Sequence, residues 1–289
     1  MYEAHYGLSE KPFSILPDPD FLYWGQAHSM AFAMLKYGLL NRAGFTVITG
    51  DIGSGKTTLI RHLLNQIPDD VRVGLISNTG KNTNQLLGWI MMALDQPFEG
   101  LSEVALFKQF QDFLIREYAE RGQTILVIDE AQNLGPDNLE ELRMLSNINA
   151  DKDQLLQLIL VGQPQLKDLL QRPELMQFSQ RISSDFHLRP LLCEETIAYI
   201  SHRLSVVGGD PNLFTKDAQR LVFEASGGVP RTVNILCDTA LVYGFAIEAP
   251  NVTAPIVKNV IDDKKLYGVF SVGGANDWPA PLKEVKPEK

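Results

Sequence analysis

The sequence predicts an α/β fold, a parallel sheet flanked by helices, followed by a small all-helical C-terminal domain. Three observations predict it. Strand and helix signals alternate from about residue 45 to residue 190, the pattern of crossover connections in a parallel sheet. Two of the strand signals, 124–128 and 155–161, are continuous apolar runs, as expected of strands covered on both faces. After about residue 190 strand signals stop and four helical stretches follow.

In chain order, residues 1–24 carry Pro12, Pro17 and Pro19 among Phe13, Phe21, Tyr23 and Trp24. The prolines forbid a long helix and the aromatic rings need burial, so an irregular arm packed on the main domain is expected. A helix follows over roughly 27–41, where Ala27, Met30, Ala31, Met34, Leu35 and Gly38 recur near a 3.6-residue period. A β-branched run at 45–49 enters a glycine-rich turn and then an amphipathic stretch, 56–67. Residues 71–77 read as a strand, 83–94 and 103–120 as helices, 124–128 as a strand, 136–148 as a helix, 155–161 as a strand and 174–182 as a helix. The later helices fall near 193–207, 215–225, 230–247 and 253–264. The resulting division is an arm and helix packed on the core (1–45), an α/β nucleotide-binding domain (46–190), a helical lid (191–265) and a flexible tail (266–289) rich in glycine, proline and charge.

Composition narrows the function. The 289 residues are 45% hydrophobic and 21% charged, an ordinary globular balance, with a formal net charge of −9. Nonspecific nucleic-acid binding draws on a positive surface, so the global field argues against it and leaves only a local basic patch open. Cys193 and Cys237 sit in apolar, helix-like surroundings and read as buried free thiols. No run reaches the roughly 18–20 apolar residues of a membrane helix. The start, Met1-Tyr-Glu-Ala-His-Tyr, lacks the basic and apolar regions of a secretory signal. A cytoplasmic protein is expected, meeting the membrane only through a partner.

Gly50-Asp51-Ile52-Gly53-Ser54-Gly55-Lys56-Thr57 fits the pattern G-x-x-x-x-G-K-[ST] at every fixed position, with a strand before it and a helix after it. Glycines at 50, 53 and 55 permit backbone angles that turn several N–H groups inward. Those groups, with Thr58 in the first helical turn, face the phosphates where the helix dipole favours anions. Lys56 is placed to reach the β- and γ-phosphates of ATP and Thr57 to offer a hydroxyl to Mg²⁺. The run Ile125-Leu-Val-Ile-Asp129-Glu130 ends an apolar strand in two acids, about 70 residues downstream. Ligands of open α/β sheets sit at the carboxyl ends of strands. Asp129 is therefore assigned to Mg²⁺, through water, and Glu130 to polarising the attacking water as general base. A switch protein has no need of the second acid, so hydrolysis is expected.

Three further polar groups are candidates. Gln163, after the strand 155–161, is placed to touch the γ-phosphate or orient water, although a plain turn residue is an equal reading. Asn147 and Asn149 are weaker alternatives. Arg181, after the expected helix 174–182, is the candidate for a cationic fork supplied by a neighbouring subunit, with Arg172 and Arg189 as competitors. Arg231 opens a helix after Gly227-Gly-Val-Pro and is placed to sense the γ-phosphate.

Together these segments resemble one family. Tyr6-Gly-Leu, Lys11-Pro-Phe13, Pro17-Asp-Pro-Asp-Phe21, the phosphate loop, Asp129-Glu-Ala-Gln132, Gly162-Gln-Pro164, Gln180-Arg-Ile182, Leu188-Arg-Pro-Leu191 and Gly228-Val-Pro-Arg231 resemble the general secretion pathway protein A family of AAA+ ATPases, over residues 1 to about 265. The N-terminal segment discriminates most, since the loop and acidic pair are shared by many ATPases. The resemblance implies a P-loop NTPase of the AAA+ kind with a helical lid, ATP·Mg as cofactor, nucleotide-dependent homo-oligomers or rings, and a partner in an envelope secretion, pilus or polysaccharide-export machine. It places Lys56 and Thr57 on ATP·Mg, Asp129 and Glu130 in hydrolysis and Arg231 as second sensor. The family's longest members continue into a membrane span and a periplasmic peptidoglycan-binding domain that this sequence does not carry. Peptidoglycan binding is therefore not expected, and the shorter pilus-biogenesis and exosortase-linked relatives match better in size. Related ATPases select targets for transposons as DNA-bound filaments. The charge of −9 and the lack of a Lys/Arg-rich arm speak against that alternative. A nucleotide-gated adaptor that scarcely hydrolyses is a third reading, opposed by Glu130. No guanine-reading motif is present, and the arm around Phe13 and Phe21, with the lid, is the expected adenine pocket.

Overall fold

The computed structural model describes residues 1–68, 70–77, 85–150 and 153–268. In chain order the elements are α1 (Glu3–Tyr6), α2 (Gln26–Leu40), β1 (Phe45–Gly50), α3 (Lys56–Leu64), β2 (Arg72–Ile76), α4 (Leu86–Ala93), α5 (Glu103–Arg121), β3 (Thr124–Ile128), α6 (Gly135–Leu145), β4 (Asn149–Ala150), β5 (Asp153–Gln154), β6 (Leu156–Gly162), α7 (Pro164–Leu170), α8 (Met176–Ser179), β7 (Ile182–Leu188), α9 (Cys193–Val206), α10 (Lys216–Ser226), α11 (Pro230–Ala246) and α12 (Ala254–Tyr267). The expected tail, 266–289, lies almost wholly outside the described residues.

The chain forms two compact units. The α/β unit holds Gln26–Ile52 and Lys56–Arg189. Its sheet runs β2-β3-β6-β1-β7, and every pairing is parallel. All residues of β1, β3 and β6 are buried. Their Val, Ile and Leu content follows from that position, since strands covered on both faces have no polar side to present. One core cluster joins Leu126, Ile128, Leu158 and Leu160 of the sheet to Ile90, Phe110, Phe113, Leu142 and Phe178 of the helices.

One strand of the five-stranded sheet is not expected from the sequence, nor is the short pair β4-β5. Residues 182–188 form the edge strand β7, and the expected helix 174–182 reduces to a 3₁₀ turn, Pro173–Leu175, and the four-residue α8. The alternation Ile182, Ser184, Phe186, Leu188 has the strand period, but serine at an inward position hides it. Ser184 is buried, and its hydroxyl donates to the Met34 carbonyl of α2 at 3.0 Å.

The helical unit comprises Met1–Gly25, Gly53–Gly55 and the residues from Pro190 onward. Its core holds Leu204, Val222, Leu236, Cys237, Leu241, Val257 and Val260, together with Tyr2, Leu8, Phe13 and Phe21 of the arm. The arm is thus part of this unit's core, a correction to the expectation that it packs on the main domain. Arg203, 6% exposed, pins it. Its guanidinium donates to the carbonyls of Pro12 at 2.5 Å and Ser14 at 3.1 Å and lies 4.3 Å from the Phe21 ring centre. Prolines leave the arm without a helical ladder, so its carbonyls need outside donors. Both cysteines are free. Cys237 is buried and Cys193 only half-buried.

Replacing Phe13 by alanine should destabilise the helical unit by about 3–5 kcal/mol, the usual cost of emptying a buried aromatic site. Arg203→Ala should cost about 2–3 kcal/mol by stranding the two arm carbonyls. Limited proteolysis checks both: cleavage within residues 1–25 should become fast while the α/β unit stays resistant.

Candidate nucleotide site

The site is built where strands of the α/β unit end. β3, β6 and β1 are neighbours in the sheet and parallel, so their carboxyl ends lie side by side. Each then turns into a polar residue with no further strand to join.

β1 leads into the loop that ends at α3. Gly53 and Gly55 take φ of +81° and +98°, a region costly for residues with a Cβ. Within the helical unit, Gly53 also receives the N–H of Arg231 on its carbonyl at 3.1 Å, and a Cβ at Gly53 would stand 2.4 Å from that of Arg231. Glycine at 53 is therefore needed twice, for its angle and for this close approach. Arg231 begins α11 just after Pro230, in the N1 position suited to its fixed φ. Gly228 has a purely structural task, since a Cβ there would meet the Leu191 carbonyl at 1.9 Å.

Lys56 is 6% exposed, and its ammonium donates to the carbonyls of Gly50 at 2.7 Å and Asp51 at 2.9 Å. Burial lowers its pKa, and the negative charges of Glu130, Asp129 and Asp51 push back the other way. Thr57 donates its hydroxyl to Asp129 Oδ2 at 2.9 Å. Asp129 is 9% exposed. Its other oxygen accepts the Glu130 N–H at 2.9 Å, and its own N–H bonds Ile76 O at 2.8 Å. A hydroxyl and a carboxylate oxygen in contact are hard donors of the kind Mg²⁺ takes. Among the described residues no group of three or more His, Cys, Asp and Glu could cage a metal. An ion here would therefore complete its shell with phosphate and water, as Mg²⁺ does in ATPases.

Glu130 has φ +53° and ψ +37°. Such left-handed angles cost a non-glycine residue about 1–2 kcal/mol and are retained where the surroundings enforce them. Gln163 donates from its side-chain amide to Glu130 Oε2 at 2.9 Å, and Gln132 donates to the same oxygen at 2.5 Å. Gln132 Oε1 in turn accepts the backbone N–H of Gln163 at 3.0 Å. Sequence reasoning named Gln163 and quoted Gln132 only within a motif. The signal for Gln132 was its place two residues after Glu130, but its contact with residue 163 is a product of folding.

Other candidates are placed elsewhere. β1 and β7 are parallel, with Phe45 opposite Ile182 and Gly50 opposite Leu188. Arg181 therefore stands at the end of the sheet away from the phosphate loop, about 20 Å off at the rise of a strand. It is exposed, and its guanidinium contacts Ser146 Oγ at 3.2 Å and Asn147 Oδ1. Asn147 and Asn149 share that far end, which corrects their reading as γ-phosphate sensors. Arg172 forms an exposed pair with Glu174 at 3.6 Å. Arg189 follows Leu188 at the loop end. Phe13 and Phe21, expected near adenine, are 1% and 5% exposed in the helical unit's core.

A parallel sheet of order β2-β3-β6-β1-β7, a phosphate loop after β1 and an acidic pair after β3 define a P-loop NTPase of the AAA+ class. The comparisons agree. The family described as AAA domain matches residues 40–170. Cdc6p from Pyrobaculum aerophilum superposes with a TM-score of 0.67 at 20% identity, covering 86% of this chain and 71% of that one. The ORC2 protein of Aeropyrum pernix, in ADPNP–ADP complexes, gives 0.61 at 17%, covering 83% and 67%. The RuvB Holliday junction branch migration motor of Thermotoga maritima gives 0.54 at 17%, covering 82% and 69%. At such identities these three show the fold alone. General secretion pathway protein A of Aeromonas hydrophila is 41% identical over 249 residues, 85% of this chain and 45% of that protein. The chain carries an AAA domain over residues 40–170 and is a relative of general secretion pathway protein A, less than half of whose length it spans.

Two substitutions test the loop. Lys56→Ala removes charge-assisted bonds worth about 3 kcal/mol, so affinity for a fluorescent ATP analogue should fall about 100-fold. Gly53→Ala imposes a left-handed alanine and the Arg231 clash, and the same titration should show at least a tenfold loss.

Proposed function

We propose that the chain hydrolyses ATP to ADP and phosphate with Mg²⁺, and that hydrolysis drives assembly or export by a bacterial envelope machine through nucleotide-dependent homo-oligomers. The observation that carries the hydrolytic part is the 2.9 Å contact of Thr57 with Asp129, beside Glu130 and the buried Lys56. In this reading the loop N–H groups of residues 50–58 and Lys56 hold the phosphates. Thr57 and Asp129 would hold Mg²⁺, which when bound would offset the negative charge of the phosphates. Glu130 orients a water in line with the γ-phosphorus. As the water oxygen bonds to phosphorus, the bond to the β-phosphate oxygen breaks and its electron pair leaves with ADP. Glu130 takes the water's proton and passes it on to phosphate or solvent. Arg231, whose N–H reaches the Gly53 carbonyl, is the candidate second sensor, and Gln163 holds the base.

The position of Arg181 supports the oligomeric part of this reading: it is exposed at the sheet end away from its own loop, where it could be offered to the γ-phosphate on another copy as a cationic fork that stabilises the transferred group. The envelope role rests on the general secretion pathway relative. No helix among the described residues is long and apolar enough to cross a membrane, so contact with an envelope machine would pass through a partner protein.

Turnover by the purified chain, with and without double-stranded DNA, and light scattering with a slowly hydrolysed analogue test this reading. Turnover indifferent to DNA, with analogue-dependent growth in size, is expected. Turnover or filament growth that needs DNA would replace it by a transposition-type role. Glu130→Gln should retain nucleotide and lose at least 100-fold in kcat, in keeping with a lost general base. Arg181→Ala should lose turnover without loss of affinity, and mixing it with Glu130→Gln should recover part of the activity, since each copy then lacks a different half of the site.

A further inference from the structure

We infer that Gln132 is a positioning residue for Glu130: its side-chain amide, seated against Gly162, holds the carboxylate in one orientation together with Gln163. The inference rests on the reading of Glu130 as general base. Three observations carry it. Gln132 and Gln163 both donate to Oε2 of Glu130, at 2.5 and 2.9 Å. The Gln132 amide is itself anchored, because its oxygen accepts the Gln163 N–H at 3.0 Å. A carboxamide can do both at once, giving hydrogens from nitrogen and receiving one on oxygen. Finally, a Cβ on Gly162 would come within 2.8 Å of both Gln132 Oε1 and Leu166 Cδ2. Glycine at the end of β6 leaves room for the amide and for Leu166 alike.

The chemistry favours an amide in this place. A lysine or arginine would also hold a carboxylate, but its positive charge would draw the electron pair the base must offer to a proton. Two neutral amides fix the oxygen without adding a second positive charge to that of Lys56, which already interacts with Glu130. Fixing matters because Glu130 sits on a strained left-handed backbone, which could direct the side chain elsewhere if nothing else determined it. Misplacing a reacting group by about 1 Å costs up to about 100-fold. Gln132 sits in the 3₁₀ turn Ala131–Asn133, and Ala131 beside it is fully buried, so the amide works from a rigid base.

Gln132→Met keeps the length and packing of the side chain and removes both hydrogen-bonding functions. In saturating ATP·Mg, kcat should fall about 10- to 100-fold, while KM and the affinity for an ATP analogue stay within about twofold. In a Glu130→Gln background Gln132→Met should add no further loss, because it acts only through that carboxylate. Wild-type kcat in Gln132→Met, a rise in kcat, or a loss confined to nucleotide affinity would each overturn the inference. Glu130→Gln separates the two readings. If Glu130→Gln turns over normally, Glu130 is not the base and both fail. If it is inactive while Gln132→Met is normal, only the positioning role fails.

Discussion

In a parallel sheet every strand points the same way, and the strands buried on both faces carry mostly apolar side chains, with Thr46, Thr49, Thr124 and Gln157 as buried exceptions. The charged residues of the loop and acidic pair lie beyond the strand ends, and the shared direction of β1, β3 and β6 collects them at one end. Lys56 and Thr57 follow β1, Asp129 and Glu130 follow β3, and Gln163 follows β6. Because β6 lies between β3 and β1, Gln163 is brought between the acids and the loop. The same rule puts Arg181 and Asn147 at the other end. One sheet thus gathers the loop and the acids at one end and leaves an exposed Arg181 at the other.

The chemistry at the first edge depends on burial as much as on adjacency. Lys56 is almost fully covered and keeps two loop carbonyls as partners. Desolvation weakens its hold on the proton, and three nearby carboxylates counter that. Such a lysine is primed for a phosphate, whose charge favours the ammonium form and replaces lost hydration. Glu130 Oε2, by contrast, accepts from the neutral side-chain amides of Gln132 and Gln163.

The helical unit shows a different solution to a polar problem. The arm has too many prolines to satisfy its own backbone, and it supplies aromatic rings that need a core. Arg203 answers both needs, with its donors on the Pro12 and Ser14 carbonyls and its face over Phe21. A guanidinium can be buried without a carboxylate because carbonyl dipoles and an aromatic face share its charge.

Sequence alone determined what is local or periodic. Apolar runs identified the central strands, because burial on both faces leaves no other composition. The phosphate loop and Asp129–Glu130 were legible because their residues are contiguous and backbone angles near glycine are a local property. The helices of the second unit were legible from their 3.6-residue period. What pairs with what was decided only by the tertiary structure. β7 escaped notice because an edge strand tolerates serine on its inner face. The arm's rings demanded a surface without specifying which one, and the helical unit's core supplied it. Asn147 and Asn149 lie close in sequence to β6, yet at the end where it begins, so nearness along the chain misled. The Gln132–Gln163 link joins residues that only parallel alignment of β3 and β6 can bring within 3.0 Å. Hydrogen bonds between side chains far apart in sequence leave no period and no spacing to read, because their geometry exists only once the strands have been packed.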